Sequence, residues 1–346
     1  MTHHPTPTIL VTGGAGYVGS HCCAALARLG FRPVVYDNLT TGHAWAVQWG
    51  PLEVGDVRDA VRLREVFRNH KPDLVMHFAA LSEVGASFDA PERYFDVNVR
   101  GTQTLLQVMA EEGCAKLVFS STCALYDTAS LTDGALLTED TPLGPLSPYG
   151  ATKMAAESLI EAAEGLGALQ AFRLRYFNAA GADPLGRIGE AHSPETHLIP
   201  LILQVALGQR KAISLFGTDY PTADGTCIRD YVHVNDLGAA HGAAARFLLQ
   251  GGPGGQALNL GCGEGHSVQD VINAVRRVTG HAIPVLLAQR RAGDPARLVA
   301  DTRMASRVLG WSAERSDLLT IIHDAWGWHQ TSRAQDIGST RGFSAH

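Results

Sequence analysis

At 346 residues, with 45% hydrophobic and 18% charged residues, the chain is long enough to bury a large core as one big domain or two interlocked ones. A formal net charge of -6 without a dense Lys/Arg run argues against a nucleic-acid partner, while leaving local arginines for an anionic ligand. Ile9-Leu10-Val11 is too short for a signal peptide and no run approaches the roughly 18 apolar residues of a membrane span, so a cytoplasmic protein with no membrane partner is expected. The six cysteines form no C-x-x-C pair and show no metal-ligand spacing, so reduced, mostly buried thiols and no metal are expected.

In chain order, strand candidates are Ile9 to Thr12, Pro33 to Tyr36, a third strand ending before Gly55, Leu74 to Phe78, Leu117 to Ser120 and Ala171 to Tyr176. Helical patterns separate them: Ser20 to Leu29, Val61 to His70, Pro91 to Glu112 and Pro148 to Glu164. This alternation predicts an α/β fold with a Rossmann-type doubly wound parallel sheet over residues 1–178. After Asn178 the elements shorten: a helix from Leu198 to Gly208, strands near Ile213 and Ile228, and helices from Val234 to Leu249 and Val268 to Thr279. Residues 179–330 therefore read as a smaller α/β substrate-binding lobe, partly interleaved with the first, and 331–346 as a frayed tail.

Thr12-Gly13-Gly14-Ala15-Gly16-Tyr17-Val18-Gly19 follows the first strand and opens a helix, the setting of a dinucleotide loop. Gly13, Gly16 and Gly19 allow a tight turn, close approach to a pyrophosphate and close helix packing, beside the positive end of the helix dipole. Asp37 ends the second strand, where a carboxylate accepts from an adenosine ribose and repels a 2′-phosphate, favouring NAD over NADP; a turn cap before Asn38 is the bland alternative. Asp56 and Val57 follow the third strand, placed for an adenine, although a loop-closing Asp fits equally. His77-Phe78-Ala79-Ala80 ends the fourth strand at the ligand edge; the small Ala79 and Ala80 admit a dinucleotide, and His77 reads as a core histidine.

Ser120-Ser121-Thr122 closes the fifth strand at that edge, presenting a hydroxyl suited to a substrate alcohol losing its proton. Ser147 is a capping residue and Pro148 a first-turn proline, so Tyr149 lies in the first helical turn with Lys153 on the same face. The Lys153 ammonium and the helix dipole are expected to favour the Tyr149 phenolate, making it a general base.

These residues resemble the extended short-chain dehydrogenase/reductase superfamily, and more closely the UDP-glucose 4-epimerase family, from about Thr8 to Trp328. The resemblance extends to Asn98, Arg175-Tyr176-Phe177-Asn178, Phe216-Gly217-Thr218-Asp219-Tyr220-Pro221-Thr222, Arg229-Asp230-Tyr231-Val232-His233-Val234, Asn259-Leu260-Gly261 and Arg290-Arg291-Ala292-Gly293-Asp294. It implies a tightly bound NAD and a UDP-sugar, most readily UDP-galactose and UDP-glucose, oxidised and re-reduced at C4 through a 4-keto sugar that turns over in the pocket. Tyr149 would take the C4 hydroxyl proton, Lys153 hold the nicotinamide ribose and Thr122 bind the reacting oxygen. Asn98 would support Lys153 or cofactor placement, and Ser120 and Tyr176 would join the cofactor contacts. On the substrate side, Arg229 and Arg291 suit the diphosphate, Asn178 a phosphate or sugar oxygen, the Phe216 backbone uracil, and Asp294 the uridine ribose. Tyr126 lines the active site or packs beneath it. A homodimer through helices within Pro91 to Glu112 and Pro148 to Glu164 is implied by analogy.

Related 4,6-dehydratases place an acid directly after the hydroxyl residue; Cys123 and Ala124 stand there here, which favours epimerisation. An NAD-sensing binding protein is the reading from another class, and the Tyr149/Lys153 pair speaks against it. The chain departs from the family pattern at Thr122 (usually serine), Asp127 (commonly glycine), Ser82 (frequently lysine) and His197 (often asparagine). Leu298 falls between the bulky and small residues associated with refusing or accepting N-acetylated sugars, so UDP-N-acetylhexosamines stay open, as do UDP-xylose and UDP-arabinose.

Overall fold

The computed structural model describes residues 6–128, 134–291, 294–331 and 334. Most of the expected tail, and Ala292-Gly293, lie outside them. β1 (Thr8–Thr12), β2 (Arg32–Asp37), β3 (Leu52–Val54), β4 (Leu74–His77), β5 (Lys116–Thr122) and β6 (Gln170–Tyr176) run parallel in the order β6-β5-β4-β1-β2-β3. A further parallel strand, Gln256–Leu260, extends the sheet beyond β6. β1 lies between β2 and β4, so the strand order reverses there and leaves a crevice at the carboxyl ends.

The two-residue period of the strands divides the core in two. Ile9, Val11, Val35, Met76, Val118 and Phe172 face one cluster with Cys23 and Leu26 of the helix Tyr17–Arg28 and Leu237, Ala240 and Ala244 of the helix Val234–Leu249. Leu10, Val34, Val75, Leu117 and Phe119 face the other, with Leu63, Val66, Leu105, Val108, Ala156 and Ile160 from three helices on the opposite side. Burial on both faces explains why the strands read as near-continuous apolar runs. Each such Leu, Ile or Val contributes roughly 1.5–3 kcal/mol of transfer free energy.

The helical stretch expected over Pro91 to Glu112 is continuous but not uniform: Phe95–Arg100 is π-helical between the α-helical Pro91–Tyr94 and Gly101–Glu111. The wide turn holds Asn98, which is buried. A separate core in the second lobe joins the helices Leu198–Ala206, Val268–Thr279 and Leu318–His329 to the parallel pair Ile213–Phe216 and Val285–Ala288. Val268–Thr279 starts at a capping box made by Ser267 and Asp270 and stops at Gly280 in the left-handed region, which is why both its ends were readable in the sequence. Among the described residues no helix is long and apolar enough to cross a membrane. All six cysteines are free, four of them buried.

Candidate active site

The turn after β1 is built for close approach. Gly13 has φ 73°, and a side chain there would place its Cβ 2.5 Å from the Ala79 nitrogen; a Cβ at Gly19 would stand 2.3 Å from the Gly13 carbonyl oxygen. The helix Tyr17–Arg28 therefore starts hard against the turn, with Gly16 at its N-cap and no side chain capping it, so its first amides remain available to an anion. Asp37 is buried and accepts from the Ala15 amide at 3.0 Å and the Leu39 amide at 2.8 Å. The turn-capping role foreseen for it is real, and its remaining lone pairs are those a ribose would use. Asn38 donates to Asp56 at 3.0 Å, and Asp56 accepts from Arg58 through both Nε and Nη2; these bonds, led by the Arg58 guanidinium, hold its carboxyl well below the usual range.

His77 shares hydrogen bonds with the hydroxyls of Thr12 at 2.7 Å and Thr102 at 3.0 Å, and burial, aided by the Lys153 charge, drives it down to about 3. It is a neutral core histidine. Beyond it, Ala79 and Ala80 bend over the switch point, and Asn98 braces the following segment by accepting from the Leu81 amide at 2.8 Å and donating to its carbonyl at 3.0 Å. Asn98 also donates to the Thr152 hydroxyl at 3.0 Å, so it reaches the Lys153 helix through Lys153's neighbour.

Ser147 caps the helix Pro148–Gly165 by accepting from the Gly150 amide at 3.1 Å, which sets Tyr149 in the first turn as expected. Tyr149 and Lys153 are both buried. Lys153 Nζ donates to the Ser120 carbonyl at 2.8 Å and lies 4.8 Å from the Phe119 ring centre, while the Ser120 hydroxyl meets the Tyr176 phenol at 2.6 Å. Burial opposes the phenolate expected at Tyr149. It pushes the phenol well above its ordinary range; only the hydrogen bond with Thr122 acts the other way. Lys153, for its part, is lowered by burial to about 8. Its ammonium donates to the Ser120 carbonyl and keeps two further N–H donors.

A buried network missing from the sequence reading lies beneath. Glu157 accepts from Ser121 at 2.5 Å and from Arg175 Nε at 3.0 Å; Arg175 also donates to the Tyr126 hydroxyl at 3.2 Å, and Tyr126 to Asn259 at 2.7 Å. Tyr126 is 1% exposed and bonded to the strand Gln256–Leu260, and it also lines the cleft, so both roles foreseen for it apply. Only the apparent helix periodicity signalled Glu157, and its polarity argued for the surface.

One cleft of about 1200 Å³ brings together Gly13, Gly16, Tyr17, Val18, Gly19, Asp37, Asn38, Asp56, Val57, Phe78, Ala79, Ala80, Ser120, Thr122, Tyr149, Lys153 and Tyr176 with Asn178, Phe216, Arg229, Arg291, Asp294 and Leu298. Asn98 acts from behind its wall. At the lobe end Arg229 donates to Asp294 at 2.5 Å, so two residues assigned to separate parts of a ligand form a pair here. The Arg291 guanidinium lies 4.2 Å from the Phe216 ring centre, a flat cationic shelf. Glu190, His192, Glu195 and His197 line the same cleft, and of these the sequence reading singled out His197 alone.

The family model described as NAD dependent epimerase/dehydratase matches residues 9–261. A UDP-glucose 4-epimerase of Rhizobium leguminosarum bv. trifolii is 49% identical over 94% of this chain and 98% of its own length. The crystal structure of the Brucella ovis UDP-glucose 4-epimerase in complex with NAD superposes with TM-score 0.89 at 43% identity, covering 96% of this chain and 99% of that one. That of Stenotrophomonas maltophila, with bound NAD and formylated UDP-arabinopyranose, gives TM-score 0.90 at 39% identity over 95% and 99%. With the glycine turn, the Tyr149/Lys153 helix and Arg229 and Arg291 in one cleft, the chain belongs to the NAD dependent epimerase/dehydratase family, among its UDP-glucose 4-epimerases.

Proposed function

We propose that this protein interconverts UDP-galactose and UDP-glucose by NAD-dependent epimerisation at C4. The observation that carries the reading is the meeting of Thr122 and Tyr149 at the carboxyl end of β5, between the glycine turn and the arginines of the second lobe. The turn fits a dinucleotide, since its backbone makes the close approaches that side chains at Gly13 or Gly19 would block. When bound, NAD+ accepts the hydride from the sugar C4, returns it to the other face, and adds a positive ring to a cleft whose own groups leave Tyr149 protonated.

Tyr149 takes the C4 hydroxyl proton and gives one back to the ketone oxygen, with Thr122 bonded to both the phenol and the Ala124 amide so that its hydroxyl is aimed into the cleft. Lys153, fixed on the Ser120 carbonyl, presents its remaining N–H donors to a ribose. Asp37 serves the adenosine ribose. At the other end Arg229 and Arg291 hold the diphosphate, Asn178 a phosphate or sugar oxygen, the Phe216 backbone the uracil, and Asp294 the uridine ribose. The nucleotide is thus gripped by charge and stacking while the sugar meets few fixed groups, which lets a ketone turn over. Residues 1–178 carry the NAD side and 179–330 most of the UDP-sugar side.

Free thiols agree with a cytoplasmic setting, and the half-exposed Phe95 on the Pro91 to Glu112 stretch agrees with a homodimer through that helix and its neighbour. UDP-xylose and UDP-arabinose form the second reading, supported by the UDP-pentose held in the Stenotrophomonas relative. The deciding test incubates the purified protein with UDP-galactose and no added NAD and follows the nucleotide sugars by NMR. Formation of UDP-glucose supports the assignment together with retained cofactor; conversion of the UDP-pentose alone moves it to the second reading.

A further inference from the structure

The Glu190 to His197 loop has no part in the chemistry above, yet it is the one group of three or more metal-competent side chains among the described residues. Glu190-Ala191-His192 and Glu195-Thr196-His197 are two copies of a Glu-x-His unit on either side of Ser193-Pro194. They bring one ligand atom each to within 4.8 Å of one another. His192 Nδ1 stands 3.1 Å from Glu190 Oε1 and 3.9 Å from Glu195 Oε2; His197 Nδ1 stands 2.8 Å from Glu190 Oε1 and 3.0 Å from Glu195 Oε1. Tetrahedral zinc with bonds of about 2.0–2.2 Å to imidazole nitrogen and carboxylate oxygen needs ligand atoms about 3.4 Å apart. The four His–Glu separations straddle that value, and the remaining pairs lie within 4.8 Å, so closing on an ion asks for side-chain adjustments that rotamer changes can supply.

The loop is held from outside itself. The Glu190 carbonyl accepts from Trp328 Nε1 at 2.8 Å and the Ala191 carbonyl from His43 Nε2 at 2.8 Å. Gly189 lies so close to Trp328 that a Cβ there would stand 2.4 Å from its ring, and the Tyr17 ring meets His192 edge-on at 6.2 Å. The carboxylates of Glu190 and Glu195 are buried, while the His197 side chain is 48% exposed and leaves an entry path. Two imidazoles favour a borderline transition metal over magnesium or calcium, and two carboxylates neutralise a dication.

We propose that Glu190, His192, Glu195 and His197 form a binding site for one zinc-class divalent cation, which clamps the two Glu-x-His units together on the wall of the cleft. The same two negative charges are balanced as well by two imidazolium protons, and the experiment separates the two states. The full-length protein, stripped with a chelator and dialysed, is titrated with Zn2+ by equilibrium dialysis and with Co2+ by visible absorption. The expected result is one ion per chain, a tetrahedral cobalt spectrum without thiolate charge-transfer absorption, and a raised Tm. His197→Ala, at the exposed position, and His192→Ala should each weaken zinc binding by about 100-fold with the circular dichroism unchanged. Failure to bind stoichiometrically leaves ion pairs only and overturns the proposal. So does a thiolate spectrum, which would place the metal on cysteines, or binding that survives both substitutions.

Discussion

The two walls of the cleft work by different physics. On the sheet wall, buried groups are fixed by main chain: Lys153 on the Ser120 carbonyl, Asp37 on two amides, and glycines where no Cβ fits. On the lobe wall, side chains are fixed by one another, the largely buried Arg229 on Asp294 and the exposed Arg291 on the Phe216 ring. The first arrangement holds reacting atoms to tenths of an ångström and tolerates little change. The second presents a charged ligand with cationic and aromatic side chains held only by one another.

Three experiments sharpen that contrast, the largest effect first. Tyr149→Phe leaves the packing and removes the proton acceptor, so kcat for UDP-galactose should fall by about 10³-fold or more while bound NAD, read by absorbance after denaturation, stays stoichiometric. Retained turnover would take Tyr149 out of the chemistry.

The second concerns acid. His21, His77 and His241 all lie under the sheet wall and are pushed by burial to about 4, 3 and 4, below the ordinary 6.5. Among them His21 and His241 each keep a buried ring nitrogen without a partner. Folded pKa values below the unfolded ones mean that the unfolded chain binds more protons in this window, so stability is whole above pH 6.5 and is lost as pH falls from 6.5 toward 4. Three such groups give a slope of up to about 4 kcal/mol per pH unit. Urea midpoints measured from pH 7 to 5 should fall accordingly; a flat profile would show that water reaches these rings.

The smallest effect belongs to the lobe wall. Arg291→Ala removes a stacked cation that acts on the nucleotide in ground and transition states alike, so KM should rise by about 10-fold with kcat nearly unchanged. An equal loss in kcat would mean that the lobe wall also positions the reacting carbon.

The contrast also governs what was legible in the sequence. Strands buried on both faces and helices with caps announce themselves within ten or so residues, so Val234–Leu249 and Val268–Thr279 were found to the residue and the sheet strands to within one or two at most ends. Gln256–Leu260 was not read as a strand because its partner β6 lies some eighty residues earlier and local pattern does not carry pairing over that distance. The π-turn at Asn98 and the direction of the Lys153 ammonium were equally out of reach, since both depend on what packs opposite. On the lobe wall, motif resemblance found Arg229, Arg291 and Asp294 but not that two of them pair. The doubled Glu-x-His stands in the sequence, but its spacing alone does not tell that the two units fold against each other.

The seventh strand and the helix Val234–Leu249 have a consequence for synthesis. Leu237, Ala240 and Ala244 cover the same sheet face as Ile9, Val11 and Val35, so a nascent chain that ends before Leu260 carries that face partly bare. Release of the first 178 residues from the ribosome will not yield a finished nucleotide lobe; the sheet closes only after about half of the second lobe has been made. The ends of the molecule thus commit together, and a chain cut between the lobes should aggregate instead of separating into two working halves.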